Sequence, residues 1–261
     1  MDHARREFLI TAAASGAITL LPFGIGVPRA NADAFKGAGG EIKVHPVSHA
    51  SFVMETPVGT IYCDPVGEPS SYVSFPKPDL ILVTHRHGDH YKSDTLAAIQ
   101  ANSTEIITCP DVLGMMPANV KSKARAIANG QGTDWKSLKI DAIPAHNLTE
   151  GRLKFHPKGR DNGYVLNFNG FKIYISGDTE DVPEMRSLKD VDIAFVCMNL
   201  PFTMTAESAA SAVAEFKPKF VYPYHYRGRD GGTQDPKKFA RLVGKAADVK
   251  LVDWYPKNDN L

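Results

Sequence analysis

From Glu41 onward the chain is a succession of short apolar runs, each closed by a turn or by a polar residue. "FVMET" (52–56) and "TIYCD" (60–64) flank a Pro-Val-Gly turn and predict a hairpin. "DLILVTH" (79–85) is apolar at successive positions, as a strand covered on both faces requires, and "DTLAAIQ" (94–100) predicts a helix after it. Further strands are predicted at "EIITC" (105–109), "LKIDAIPAH" (138–146), "YVLNF" (164–168), "FKIYIS" (171–176), "DIAFVCM" (192–198), "KFVYPYH" (219–225) and "VKLVDW" (249–254). Two late helices carry readable starts. Thr205 precedes Ala206, Ala209, Ala210 and Val213 at helical spacing, and Asp235-Pro236 opens a segment with Phe239, Leu242 and Val243 on one face. Both should cover a sheet.

The pattern also repeats. "SFVMETPVGTIYCDPV" and "GYVLNFNGFKIYISGDTE" share an aromatic-Val start, a Gly turn, an Ile-Tyr pair and a closing aspartate, Asp64 in one and Asp178 in the other. This echo predicts two similar halves packed face to face, sheets inside and helices outside, with a site where they meet.

The first 32 residues depart from this rhythm. Arg5 and Arg6, then Phe8-Leu9, an Ala/Gly/Thr-rich apolar stretch and Ala30-Asn31-Ala32 have the layout of a cleaved twin-arginine export signal. The expectation is a signal over residues 1–32, one domain over 33–261, passage through the twin-arginine translocase and a periplasmic location, with no membrane span left after cleavage. Cleavage removes three of 30 basic and two of 29 acidic residues, leaving 27 of each. A neutral chain has no global field to draw in a polyanion, so nucleic acid is not an expected partner; homo-oligomerisation is left open. Cys63, Cys109 and Cys197 lie in separate apolar runs and read as buried small hydrophobes, although an oxidising compartment would permit one disulfide.

"THRHGDHYK" (84–92) changes the picture most. In an extended or tightly turned segment His85 and His87 point the same way and can share a cation, while Asp89 and His90 can face a second, with Gly88 expected to allow the turn. Four groups in one loop do not close two sites. His146, Asp178 and His225 each follow a strand-like run, as His85 does, and would complete the set.

These residues resemble the metallo-β-lactamase superfamily, whose fold is an αββα sandwich of two mixed sheets with outer helices. The likeness spans residues 41–256 and is nearest the branch of ascorbate-6-phosphate lactonase and related metal-dependent hydrolases. It is carried by "SHASF", "IYCDP", "FHPKG", "GDTEDVPEM", "FTMTAESAA" and "KPKFVYPYHY". The resemblance implies one metal on His85, His87 and His146, a second on Asp89, His90 and His225, and Asp178 bridging them. His156 in "FHPKG" stands as a further ligand or catalytic group, Lys158 as a residue that could meet a substrate anion, and Asp64 as a support of the histidine loop.

Two divalent cations, zinc first and manganese or iron as alternatives, can hold a bridging hydroxide at neutral pH, so hydrolysis needs no serine or cysteine nucleophile. No Gly-x-Ser-x-Gly is present. The expected activity is metal-dependent hydrolysis of a small molecule with Asp178 and Asp89 at the reaction centre. A carboxylic ester or lactone is the first substrate class and a phosphodiester the second. Iron-dependent redox chemistry or metal binding without catalysis are the non-hydrolytic alternatives; the diiron redox members place a glutamate in the loop where this chain has His87.

Overall fold

The structure, a computed structural model, describes residues 32–37 and 39–255. Residues 1–31 of the proposed export signal lie outside the described residues. Among the described residues, no helix is long and apolar enough to cross a membrane.

The first half forms a sheet whose spatial order is its chain order: β1 (Asp33–Gly37), β2 (Gly40–Ser48), β3 (Ser51–Thr56), β4 (Gly59–Cys63), β5 (Leu80–Val83), β6 (Glu105–Thr108) and β7 (Ala124–Ala126). The second repeats the plan with β8 (Gly132–Trp135), β9 (Leu138–Ala145), β10 (Asp161–Phe168), β11 (Phe171–Ile175), β12 (Ile193–Cys197), β13 (Phe220–Tyr224) and β14 (Asp248–Val249). In each half the first four strands are antiparallel and the last three run parallel to the fourth. The hairpin echo in the sequence is therefore a repeat of architecture: β3–β4 and β10–β11 occupy the same place in their sheets, and Asp64 and Asp178 follow equivalent strands.

Alternation along the strands builds the layers. Phe52 faces the partner sheet, where it stacks on Phe195 at 4.1 Å between ring centroids, and Phe195 stacks in turn on Tyr222 at 4.9 Å. Val53, the next residue, joins Tyr62, Ile81 and Val83 in a separate cluster under α1 (Ser93–Ile99), α2 (Pro110–Met115) and α3 (Ala118–Lys121). The second sheet is accompanied by α4 (Pro183–Arg186), α5 (Ala206–Phe216) and α6 (Pro236–Val243), giving the expected αββα sandwich. The predicted caps form: the Thr205 hydroxyl accepts the Ser208 N–H, and the Asp235 carboxylate accepts the Lys237 N–H. Each contributes about 1 kcal/mol.

One strand falls short of its expected length. "VKLVDW" pairs only at Asp248–Val249. The following segment leaves the sheet because Trp254 is fully buried against Phe52, Phe195 and Tyr224, and its carbonyl accepts the His49 N–H. The three cysteines are free and buried, and burial pushes the Cys63 thiol well up, the Cys109 thiol to about 11 and the Cys197 thiol to about 12.

The halves are stitched where β5 ends. The Asn162 N–H donates to the Thr84 carbonyl (3.1 Å) and the Tyr164 hydroxyl to the Val83 carbonyl (2.8 Å), holding the histidine loop against the start of β10.

Candidate metal centre

β5 is buried along its whole length and delivers Thr84 and His85 at its carboxyl end, both fully buried. The loop then doubles back, the N–H groups of His90 and Tyr91 both donating to the His87 carbonyl. Gly88 is not what permits this turn: its φ is not positive, and a Cβ there would meet only the end of Lys92 at 3.7 Å. The left-handed positions at the site are His49 (φ 54°), Asp64 (φ 42°), Gly177 (φ 60°) and His225 (φ 50°), each at a strand end where the chain turns to present a side chain.

Asp64 anchors the loop. Its fully buried carboxylate accepts the Thr84 N–H, the Thr84 hydroxyl and His90 Nδ1–H, all at 2.7 Å. Because the Thr84 hydroxyl spends its hydrogen on Asp64, it accepts from His85 Nδ1–H (3.0 Å). His156 Nδ1–H donates to the Phe202 carbonyl (3.1 Å). In three imidazoles, then, a partner behind the ring holds the Nδ1 proton and turns Nε2 inward, the arrangement that orients metal-binding histidines.

Those inward atoms converge. His87 Nδ1 lies 3.0 Å from His85 Nε2 and 3.1 Å from His156 Nε2; both Nε2 atoms carry lone pairs, and His87 Nδ1 has at most one proton to donate, to only one of them. Asp178 stands between two groups: Oδ2 is 3.4 Å from His156 Nε2 and 4.0 Å from His85 Nε2, while Oδ1 is 3.3 Å from His90 Nε2 and 3.6 Å from His225 Nε2. His90 Nε2 and Asp178 Oδ1 are buried without a well-formed hydrogen bond. Asp89 Oδ2 lies 3.3 Å from both His225 Nε2 and His49 Nε2. Three groups of ligand atoms are close enough to hold a cation: His85, His87, His156; His85, His90, Asp178; and His49, Asp89, His225. Crowded lone pairs and orphaned buried atoms fit bound metal, which these residues would hold.

Protonation follows the same logic. Burial holds the His85 imidazole well below its usual range, lowers His87, and brings His156 and His49 to about 4, so these rings are neutral at pH 7. For His90, burial is outweighed by the carboxylates of Asp178 and Asp64, which hold it well above the ordinary imidazole value in the metal-free chain. Burial likewise opposes charge on Asp178 and Asp89. The histidines around Asp178, His225 and His90 foremost, keep it well below the usual carboxylate range, and hydrogen bonds with His225 and His49 do the same for Asp89.

The structure thus brings together His85, His87, Asp89, His90, Asp178 and His225, and adds His156 and His49. It does not bring His146 into any of the three groups. His146 Nδ1 is engaged with the Asn147 carbonyl (3.1 Å), and its backbone is clasped by Thr179 and Glu180, beside the turn that carries Asp178. The chain after it folds back so that the Asn147 N–H donates to the His156 carbonyl (2.8 Å), which sets His156 where the spacing pointed to His146. Lys158 is exposed. His49 could have been suspected from its position after β2, the same strand-end placement as the other histidines.

Fold and site together define a class: an αββα protein whose strand ends, from both sheets, present histidines and carboxylates that could hold metal. The chain belongs to the beta-lactamase superfamily, whose domain model ("Beta-lactamase superfamily domain") matches residues 43–225, and it is a metal-dependent hydrolase of that superfamily. It is 32% identical over 225 residues to a UPF0173 metal-dependent hydrolase of Thermococcus onnurineus, covering 81% of this chain and 96% of the relative. Among solved structures it is similar to a protein of Parabacteroides distasonis described as a metal-dependent hydrolase, with 38% identity, a TM-score of 0.75 and coverage of 84% of this chain and 97% of the other. CmlA, a diiron β-hydroxylase of Streptomyces venezuelae, shares the fold at 17% identity, with a TM-score of 0.59 over 80% of this chain and 47% of that one.

Proposed function

We propose that the protein is an exported dinuclear hydrolase, with zinc as its first-choice metal, acting on a carboxylic ester or lactone of a small molecule. The observation that carries the reading is the set of three imidazoles whose Nδ1 protons are held from behind, with Asp178 spanning the two groups. His85, His87 and His156 would hold one metal, Asp89, His90 and His225 the other with His49 beside them, and Asp178 would join the two. Bound there, two divalent cations supply an acidified water and polarise the oxygen of the bond to be cleaved. The chain's part is to keep His85, His87, His156 and His49 neutral, hold both carboxylates ionised and shield the cluster. Asp89, its side chain 41% exposed while Asp178 is 4% exposed, marks the side from which a substrate reaches it.

The buried cysteines, with thiols pushed up by burial, offer no competing nucleophile. The likeness to the ascorbate-6-phosphate lactonase branch supports an ester or lactone ahead of a phosphodiester. A histidine at position 87, close to both His85 and His156, supports hydrolysis ahead of diiron redox chemistry.

Export by the twin-arginine translocase would deliver a folded chain to the periplasm. Cleavage after Ala32 would leave every described strand intact, since β1 begins at Asp33. A neutral mature chain supports a small-molecule substrate rather than a nucleic acid.

The test is turnover by metal-loaded protein of 4-nitrophenyl acetate beside bis(4-nitrophenyl) phosphate. A larger kcat/KM on the ester is expected; a larger value on the diester moves the assignment to phosphodiesterase. Inertness toward both, with redox-active iron bound, sinks the hydrolytic reading.

A further inference from the structure

Most arginines near the metal centre are already neutralised: Arg86 pairs with Asp111 (3.5 Å), Arg152 with Glu180 (3.0 Å) and Arg160 with Asp161 (2.7 Å). Arg227 and Arg229 differ. They follow His225 by two and four residues and are exposed, and among the described residues neither has a carboxylate within ion-pair distance. What each has is an aromatic floor. The Arg227 guanidinium carbon lies 3.9 Å over the Tyr255 ring, and the Arg229 carbon lies 5.6 Å from the Phe202 ring.

Both floors belong to residues that support the centre. The Tyr255 hydroxyl, which accepts the Arg227 N–H (3.1 Å), is 2.8 Å from His49 Nδ1. Phe202 supplies the carbonyl that takes His156 Nδ1–H. The two guanidiniums therefore rest on two supports of one cluster, Tyr255 behind His49 and Phe202 behind His156.

The loop that carries them is fixed. The Arg229 N–H donates to the Leu200 carbonyl (3.0 Å), and the Leu200 N–H donates to the Gly232 carbonyl (3.0 Å). A Cβ at Gly228 or Gly232 would collide with that Leu200 carbonyl, so glycine is what allows the close approach. A guanidinium laid on an aromatic face keeps its N–H edges free, and those edges match the two oxygens of a carboxylate or phosphate. Two such groups, two residues apart on a loop pinned to Leu200, are the charges near the centre that could meet an oxyanion on a chain with no net field.

We infer that the substrate carries a second, non-reacting oxyanion, a carboxylate or phosphate, and that Arg227 and Arg229 hold it while the metal centre acts on the ester or lactone. This rests on the hydrolase reading for its chemistry, but its binding step is measured separately. Isothermal titration of zinc-loaded protein compares glutaric acid monoanilide with butyranilide, neither a ready substrate. The charged ligand is expected to bind about tenfold to one hundredfold more tightly. The preference should fall about tenfold in Arg227→Gln/Arg229→Gln, partly in Arg229→Gln alone, and in the wild type as salt rises from roughly 0.05 to 0.5 M. A carboxylate seated on the metals instead keeps its preference in the double variant, and that result, or no preference in the wild type, overturns the inference. In parallel, mono(4-nitrophenyl) glutarate and 4-nitrophenyl butyrate report turnover. Charged-ligand preference without hydrolysis of either ester defeats the hydrolase reading alone, whereas equal kcat/KM on both with no binding preference defeats the oxyanion site alone.

Discussion

Replacing Asp64 by Asn preserves the size of a fully buried side chain and alters only its charge and one donor. In the native chain the carboxylate accepts three hydrogen bonds at 2.7 Å, from the Thr84 N–H, the Thr84 hydroxyl and His90 Nδ1–H. The amide oxygen of the variant can keep the Thr84 N–H, but its NH2 group then faces two donors. The relaxed arrangement has His90 offer an Nδ1 lone pair, which leaves its remaining proton on Nε2, the atom aimed at Asp178. Exchanging charge-assisted bonds for neutral ones, offset by removal of a buried charge, should cost about 1–3 kcal/mol, small enough for the fold to persist. The effect on metal should be more specific: loss of a partner behind a ligating imidazole weakens binding by about 10–100-fold, or about 1.4–2.7 kcal/mol. Competition with a chromophoric chelator would resolve two affinities in the wild type. In Asp64→Asn only the one that depends on His90 should fall, with thermal denaturation of the metal-free chain run as a control. Lowered stability with both affinities intact would show that Asp64 is merely structural and refute the tautomer argument.

Three further outcomes are expected. Metal uptake at pH 7 should release about one proton from His90, which the metal-free chain holds charged between Asp64 and Asp178, so calorimetric heats should depend on buffer ionisation enthalpy; buffer-independent heats would contradict this. Gly177→Ala should destabilise the chain by about 1–3 kcal/mol and lower metal content. Gly177 has φ 60°, and a Cβ would lie 2.8 Å from the Asn162 carbonyl oxygen, beside Asp178; unchanged melting and metal content would show that the turn is not strained. Changing Arg5 and Arg6 together to Lys should stop metallated protein accumulating in the periplasm, measured by fractionation, and normal export would count against the twin-arginine route.

What was legible in the sequence was whatever rests on local periodicity. β5 announces itself because both faces are covered, so "LILV" is unbroken, and the two hairpins are visible because a Gly turn separates alternating runs. Of the four expected strand ends, three are brought together, His85 with its loop of His87, Asp89 and His90, then Asp178 and His225; the fourth, His146, joins none of the three groups. The short helices Pro110–Met115, Ala118–Lys121 and Pro183–Arg186 were not anticipated, since four to six residues carry too little of a 3.6 period. "VKLVDW" looked like a strand because its composition suits one, but burial of Trp254 pulls the chain out of the sheet. His49 and His156 depend on contacts 40 and 69 residues away in sequence, with Asp89 and His87, which no local pattern encodes. His146 was expected as a ligand because it ends a strand; it joins none of the three close groups, and the fold-back of the segment after it is a tertiary fact.

Metal content separates these accounts most directly. Elemental analysis of the wild type, His156→Ala and His146→Ala, each purified without added metal, should give about two metal ions per chain in the wild type and in His146→Ala, and about one in His156→Ala. Loss of metal from His146→Ala with a full complement in His156→Ala would contradict the site described.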